Sequence, residues 1–152
     1  MTTLLFLCTG NTCRSPMAAA FFTHLLGDAP GVRGISAGLA ASGGPATPQA
    51  IRVAAERGVD LSAHRSRPLA LALEERPDLV LCMASSHLAP ARSLIKGTVP
   101  VRLYGAFLEL PGDPEVPDPY GGTLEVYRRV ASLIWDWSHL LLGRRSHWHP
   151  GP

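Results

Sequence analysis

The sequence predicts an α/β fold: a single domain with a central four-stranded parallel sheet and helices on both faces. Four short apolar runs alternate along the chain with segments of helical character. One run, DLVLCM at residues 78–83, is uninterrupted, which is typical of a strand buried on both faces. The 152 residues, 46% of them hydrophobic, suffice for one sizeable core. We expect the domain to span residues 1–143 and the patternless residues 144–152 to form a flexible tail.

The first half of the chain is predicted to contain two strands and two helices. The apolar run at residues 3–7 predicts a strand, and the spacing of Ala, Phe and Leu predicts a helix over 16–26. Residues 32–37 form a second predicted strand. A loop rich in Gly, Ala and Pro follows at 38–48, and a helix over 48–57 begins at its proline.

The second half is predicted to continue the alternation. The DLVLCM strand is followed by a helix through residue 94, for which Ser85 and Ser86 are candidate caps. Residues 99–103 supply the fourth strand. An irregular segment containing PGDPEVPDPYGG precedes the last helix, 122–142, which has a continuous apolar face. Long irregular segments in small domains are usually either mobile surface excursions or functional loops.

Charge and cysteine content exclude several classes of function. Lys and Arg number 14 against 12 Asp and Glu, so the formal charge of +2 does not indicate a nucleic-acid partner. No apolar run is long enough to span a membrane, and the N-terminus has no basic leader, so we expect a cytoplasmic protein without a membrane partner. Three cysteines, an odd number, argue for reactive thiol chemistry rather than a disulfide framework.

The segment CTGNTCRS, residues 8–15 and here called the Cys8 loop, is the predicted functional site. Cys8 directly follows the first strand, and Arg14 falls where the next helix should start. In a doubly wound sheet, the carboxyl end of a strand and the following helix N-terminus form the usual anion site. The Cys8 loop is therefore expected to bind an oxyanion.

Each polar residue of the Cys8 loop has an expected chemical role. The helix N-terminus and Arg14 favour the thiolate of Cys8, which is a nucleophile. The planar fork of Arg14 fits two oxygens of a phosphoryl group, and Ser15 can donate a hydrogen bond to the sulfur. Gly10 permits a tight turn, and Asn11 tolerates the left-handed conformation that turns N–H groups inward. The alternative interpretation is an ordinary turn with a buried thiol and a surface arginine.

Other phosphate and metal sites fit the sequence less well. A Walker loop requires a lysine before its final Ser or Thr, and the dinucleotide fingerprint requires three spaced glycines; GNTCRS provides neither. Zinc is disfavoured because, apart from Cys8 and Cys13, the candidate ligands are one distant cysteine and scattered histidines. We expect neither a metal nor a cofactor.

Phosphoryl transfer to a cysteine also requires an acid for the leaving group and a base for water. The two Asp-Pro pairs that begin at Asp113 and Asp118 provide candidates in the irregular segment. Asp118 is favoured because Pro119 and the adjoining helix would hold it steady. Its alternative role is simply to start a turn.

These residues resemble the low-molecular-weight protein tyrosine phosphatases and their bacterial relatives, the protein-arginine phosphatases. CTGNTCRSPMA is a near-complete match to the family signature. Further matches, in the family's order, are ISAG at 35–38, AHRSR at 63–67, DLVLCM at 78–83 and DPYGG at 118–122. The resemblance extends to about Gly143 and implies the family's Rossmann-like fold.

The resemblance implies a role for each matching residue. Cys8 would be the nucleophile, Arg14 the phosphate clamp and Asp118 the general acid and base. Ser36 and His64 would join Asn11 and Ser15 in a network that shapes the loop. The implied phosphate- and substrate-binding positions are Thr9, Gly10, Asn11, Thr12, Cys13, Ser15 and Tyr120.

The other cysteines refine the expected function. In the family, the cysteine matching Cys13 can pair with the nucleophile under oxidation, which protects it from irreversible damage. Cys82 is expected to be a buried strand residue. Arsenate reductases that share this fold need a further pair of resolving cysteines, and the MASSHLA segment after Cys82 supplies none. Arsenate reduction is therefore disfavoured.

The expected substrate is a phosphorylated protein or peptide, and Thr12 bears on which residue is dephosphorylated. Arginine phosphatases resemble this chain in carrying threonine there, whereas most tyrosine phosphatases carry a larger aliphatic residue. The arginine phosphatases usually have Phe at the position of Tyr120, so phosphotyrosine and phosphoarginine both stay open. The competing functions are a thiol redox switch and a non-catalytic phosphate-binding module on the same scaffold.

Overall fold

The four predicted strands form one parallel sheet in the computed structural model, which describes residues 1–150. The sheet order is β2-β1-β3-β4, and the strand bounds lie within two residues of those predicted. All seven residues of β1 are buried, as expected for a central strand. The strands are β1 Thr2–Cys8, β2 Val32–Gly38, β3 Leu79–Cys82 and β4 Val101–Leu103.

Six helices accompany these strands within residues 1–150, four of them at predicted places. Thr47 and Thr123 cap the second and the last helix by accepting hydrogen bonds from backbone N–H groups. The two helices that the sequence did not predict have four residues each, too few for a periodic pattern. The helices are α1 Arg14–Leu26, α2 Pro48–Ala55, α3 Leu69–Ala72, α4 Leu88–Leu94, α5 Tyr104–Phe107 and α6 Leu124–Gly143.

Successive residues of the strands alternate between two apolar layers. Leu4 and Phe6 of β1 face the layer formed with α1 and α6, which pack against each other. Leu5 and Leu7 face the opposite layer, which contains residues of α3 and α4. Helices therefore cover both faces of the sheet, as predicted, and none of those within residues 1–150 has the length and apolar character to span a membrane.

The residues directly after β3 do not start the predicted α-helix at once. A 3₁₀ turn, Ser85–His87, precedes α4, and the two serines do not cap it through their side chains. The backbone N–H of Ala84 instead donates to Nδ1 of His87 at 3.1 Å, and that of Ser85 donates to Glu115 at 2.7 Å. A residue distant in sequence supplies one of these caps, so local sequence could not reveal it.

The last described residues contact the core. Trp148 is 7% exposed and packs edge-on against Phe22 with the ring centroids 5.6 Å apart. Its indole N–H donates to the carbonyl of Leu141 at 2.9 Å. The predicted tail at 144–152 thus contains a core residue, which the sequence did not reveal because a single aromatic residue without periodic neighbours gives no pattern. Its flexibility stays a prediction, and residues 151 and 152 lie outside the described part of the chain.

Candidate active site

The Cys8 loop connects the central strand to the first helix, as the sequence predicts. β1 ends at Cys8 and α1 begins at Arg14, so the loop lies at the carboxyl edge of the sheet. Cys8 is 3% exposed and Arg14 is 7% exposed. Both therefore lie at the bottom of the site rather than on its rim.

Two hydrogen-bond donors face the sulfur of Cys8. The Ser15 hydroxyl lies 2.9 Å from Sγ, and the backbone N–H of Asn11 donates to Sγ at 3.2 Å. Hydrogen bonds to a charged acceptor are stronger than those to a neutral one. Both donors are therefore placed to stabilise negative charge that develops on this sulfur during a reaction.

Asn11 is the fully buried centre of the network behind the loop. Its φ of 57° places the backbone in the left-handed region, as predicted. Its amide nitrogen donates to the hydroxyls of Ser15 at 2.8 Å and Ser36 at 3.0 Å. Its amide oxygen accepts from the backbone N–H of Arg67 at 3.0 Å. One side chain thus joins the loop to β2 and to the segment before α3.

His64 joins the same network from outside the loop. Its Nε2 lies 2.7 Å from the carbonyl oxygen of Asn11, and because a carbonyl only accepts, Nε2 carries the proton. Burial lowers the pKa of His64, while this hydrogen bond partly opposes that effect. The structure therefore places Ser36 and His64 in contact with Asn11. Their role in tuning the site stays a prediction.

The end of β2 supports the underside of the loop without space for a side chain. A Cβ at Gly38 would lie 2.6 Å from the carbonyl oxygen of Thr9 and 3.1 Å from the nitrogen of Asn11. Next to it, the backbone N–H groups of Leu39 and Ala40 donate to the carbonyls of Cys8 and Thr9 at 3.0 and 2.9 Å. The glycine of ISAG is thus required by close approach of two backbone segments.

Asp118 lines the same pocket as Cys8 and lies beside Arg14. Its Oδ2 is 3.8 Å from the Arg14 guanidinium, and its side chain is 58% exposed. Arg14 also donates to the carbonyl of Val116 at 3.2 Å, and the Val116 N–H donates to Met83 at 2.8 Å. The irregular segment is therefore fixed to β3 two residues before Asp118. Asp113, the other candidate, does not line the pocket.

These groups surround a pocket of about 320 Å³. Thr12 and Tyr120 line it, and Tyr120 is 70% exposed. Sequence reasoning missed Ala40 and Ser42, two further lining residues, because the loop at 38–48 carries no pattern that distinguishes its members. The complete lining is Cys8, Thr9, Gly10, Asn11, Thr12, Cys13, Arg14, Ala40, Ser42, Asp118 and Tyr120.

A second groove, of about 480 Å³, is larger, but no cysteine lines it. It is lined by residues of α1 and β2 and by the segment that carries His64, Arg65 and Arg67. Both arginines already have protein partners, since Arg67 pairs with Glu75 and Arg65 donates to the carbonyl of His64. The smaller pocket is therefore the candidate active site.

The remaining thiols differ in their surroundings. Cys13 has three hydroxyls near its sulfur: Tyr127 at 3.4 Å, Thr47 at 3.6 Å and Thr12 at 3.8 Å. Burial is the main cause that raises the pKa of Tyr127 to about 12. Cys82 is buried in β3, where burial raises its pKa to about 12. No group of three or more metal-binding side chains occurs within residues 1–150.

A family model described as low molecular weight phosphotyrosine protein phosphatase matches residues 3–144. The chain belongs to this family. A probable low molecular weight protein-tyrosine-phosphatase, EpsP of Ralstonia nicotianae, is 38% identical over 87% of this chain and 88% of its own. A protein-arginine-phosphatase of Bacillus subtilis is 37% identical over 84% of this chain and 85% of its own.

Solved structures agree with this assignment. The chain resembles a cysteine-to-serine variant of the arginine phosphatase YwlE, which carries a phosphorylated active-site serine. The TM-score is 0.86 at 32% identity, over 95% of this chain and 96% of that one. The family's members include enzymes named for both tyrosine and arginine dephosphorylation.

The contact beneath the Cys8 loop generates a first prediction. Gly38→Ala should reduce kcat/KM by about 10²-fold, because the added Cβ must displace Thr9 and misplace the loop. The measurement is turnover of an aryl phosphate, with thermal unfolding to show that the variant folds. Gly143→Ala is the matched control, since nothing lies within 4 Å of a Cβ there. Equal activity of the two folded variants would contradict the proposed support.

Proposed function

We propose that this protein hydrolyses phosphorylated protein residues through a phosphocysteine intermediate on Cys8. The observation that carries the proposal is the arrangement of the pocket: a hydrogen-bonded sulfur at its base, with Arg14 and Asp118 3.8 Å from each other. A non-catalytic phosphate-binding module has no need for both a nucleophile and an opposing carboxylate. A phosphatase needs both.

In the first step, the Cys8 thiolate attacks phosphorus and the bond from phosphorus to the leaving atom breaks. The fork of Arg14 and the N–H groups of the loop stabilise the equatorial oxygens as charge develops on them. Asp118, protonated at the start of this step, gives its proton to the leaving atom. The leaving group departs neutral, and the phosphoryl group is bound to sulfur.

In the second step, a water molecule attacks the phosphocysteine. Asp118, now a carboxylate, accepts a proton from that water, and the bond between phosphorus and sulfur breaks. The departing thiolate is stabilised by Ser15 and by the N–H of Asn11, which donate to it. The phosphorylated serine in the related YwlE variant supports a covalent intermediate at the equivalent step.

The nucleophile is tested by substitution. Cys8→Ser should reduce turnover of an aryl phosphate by at least about 10³-fold, because the hydroxyl is not ionised near neutral pH. Steady-state kinetics measure the loss, and mass spectrometry measures any trapped phosphoryl group. Cys82→Ala, in a buried thiol that does not line the pocket, is the control and should keep its activity. Retained turnover in Cys8→Ser would refute the mechanism.

The role of Asp118 has a control within the same loop. Asp118→Asn should lower kcat by about 10² to 10³-fold, because the amide neither donates the proton nor accepts one from water. The loss should be larger for a substrate with a poor leaving group. Asp113→Asn, in the other Asp-Pro pair, should leave kcat unchanged. If both variants lost the same activity, the carboxylate would act only on the loop structure.

We propose that Thr12 selects between phosphoarginine and phosphotyrosine. Thr12 lines the pocket together with Tyr120, and its hydroxyl is available to a guanidinium. Its methyl group narrows the pocket. The relatives include enzymes named for each substrate, so family membership does not decide between the two. A substitution at Thr12 tests whether this side chain does.

Comparing two peptides tests the specificity. Thr12→Ile should lower the ratio of kcat/KM for a phosphoarginine peptide to that for a phosphotyrosine peptide by about tenfold or more. The substitution removes the hydroxyl and adds apolar volume at the pocket wall. Thr98→Ile, at an exposed position outside the pocket, is the control. An unchanged ratio in Thr12→Ile would exclude Thr12 as the specificity residue.

A second function is proposed because Cys13 lines the same pocket as Cys8 and both thiols are free. A peroxide would oxidise the Cys8 thiolate to a sulfenic acid. Attack by Cys13 would then form the disulfide and release water, with the two electrons taken by the peroxide. Cys13 would first have to leave its contact with Tyr127. The disulfide would inhibit the phosphatase reversibly.

The redox switch is tested by recovery after oxidation. Wild type treated with peroxide should regain nearly all of its activity on reduction, whereas Cys13→Ala should not, because Cys8 proceeds to irreversible acids. Cys82→Ala should recover like wild type. Equal recovery in Cys13→Ala would show that Cys13 does not protect Cys8.

The cytoplasmic location expected from the sequence stays a prediction.

A further inference from the structure

A buried histidine outside the family-signature loop contacts that loop directly. His87 lies at the end of the 3₁₀ turn after β3 and is 2% exposed. Its Nε2 is 3.0 Å from the hydroxyl oxygen of Thr9, and its Nδ1 accepts from the backbone N–H of Ala84 at 3.1 Å. The mechanism above assigns His87 no role.

The two contacts determine which ring nitrogen carries the proton. Because the N–H of Ala84 only donates, Nδ1 must accept, and in a neutral ring the proton then lies on Nε2. Nε2 therefore donates to Thr9. This direction leaves the hydroxyl hydrogen of Thr9 free, and Thr9 lines the pocket directly after Cys8.

The sheet order places the contact between His87 and Thr9 on the β3 side of the Cys8 loop. Since β1 lies between β2 and β3, the Cys8 loop lies between the ends of those two strands. Asn11 and Gly38 hold it on the β2 side. On the β3 side, the His87 bond holds Thr9 near the start of the loop, and the Arg14 side chain at the end of the loop donates to Val116.

The same short segment also holds the loop that carries Asp118. The carbonyl of Met83 accepts from the N–H of Val116 at 2.8 Å. The N–H of Ser85 donates to the carboxylate of Glu115 at 2.7 Å, and the Ser85 hydroxyl donates to the same oxygen. Residues 83–87 therefore contact both sides of the pocket.

We propose that His87 is a positioning residue: it holds the Cys8 loop through Thr9 and thereby fixes Cys8 relative to Asp118. This inference rests on the proposed phosphatase function. Without the bond, the described hydrogen bond that would still hold Thr9 is the one from the N–H of Ala40 to its carbonyl, on the β2 side. The sulfur would then occupy its attacking position for a smaller fraction of the time.

The charge state of His87 makes the bond dependent on pH. Burial is the main cause that lowers its pKa, and Arg14 lowers it further, whereas Glu115 and Asp118 oppose them. The neutral ring therefore persists at neutral pH. When the pH falls through this pKa, Nδ1 gains a proton that faces the N–H of Ala84. The Ala84 bond is then lost, and the ring loses its fixed orientation toward Thr9.

Two substitutions at His87 separate its two hydrogen bonds. His87→Asn keeps an oxygen near Nδ1 to accept from Ala84 but is too short to reach Thr9. His87→Gln places its amide group near Nε2 and retains a donor to Thr9. Thr9→Val removes the acceptor while keeping the shape of the side chain. Ser86→Ala, on the same turn and exposed, is the control.

The expected results are specific to positioning through Thr9. His87→Asn and Thr9→Val should each lower kcat/KM about tenfold, and the double variant should lose no more than either single one. His87→Gln should stay within about twofold of wild type. The advantage of wild type over His87→Asn should shrink as the pH falls through the lowered pKa of His87, since the protonated ring loses the Ala84 bond that orients it toward Thr9.

Specific results would overturn the positioning role of His87. Additive losses in the double variant, or an equal loss in His87→Gln and His87→Asn, would mean that His87 does not act through Thr9. If His87→Asn failed to fold, wild-type activity in Thr9→Val would still overturn the inference. Wild type without Cys8-dependent turnover would instead refute the proposed function itself, so the two failures are distinguishable.

Discussion

The proposed phosphate site depends on one constraint: its backbone N–H groups would have to turn toward the bound anion, so other groups must hold the loop from behind. The buried amide of Asn11 meets most of this requirement. It binds Ser15 within the loop, Ser36 on β2 and the backbone of Arg67. A buried side chain with this many fixed partners adopts one position, and its left-handed backbone fixes the curvature of the loop.

The charge balance of the pocket follows from the same arrangement. Arg14 is nearly buried, and burying a cation is costly unless it is paired and hydrogen-bonded. The Val116 carbonyl and the Asp118 carboxylate meet part of this cost and leave the guanidinium facing the pocket. A bound phosphoryl group would complete the pairing. In the proposed mechanism, the same electrostatic demand orients the Asp118 loop and attracts the phosphoryl group.

Sequence could predict the parts of the site that are contiguous. Cys8 and Arg14 lie in one strand, loop and helix, so their relative position follows from local structure. Ser36 and His64 could be proposed only through the family resemblance, since isolated polar residues have no pattern. The contact of His87 with Thr9 was not predictable, because it depends on the adjacency of β1 and β3 and on the ring's orientation. Short helices and the packing of Trp148 escaped prediction for similar reasons.

A contact between residues near the beginning and the end of the described chain determines where an attached segment would lie. The hydroxyl of Thr2 is 2.7 Å from Nδ1 of His149, so these two residues meet at the start of β1. Cys8 lies at the opposite end of that strand. A fusion partner or surface tether joined to either end would therefore extend from the edge remote from the pocket. The proximity of the ends also makes this fold a suitable scaffold for circular permutation.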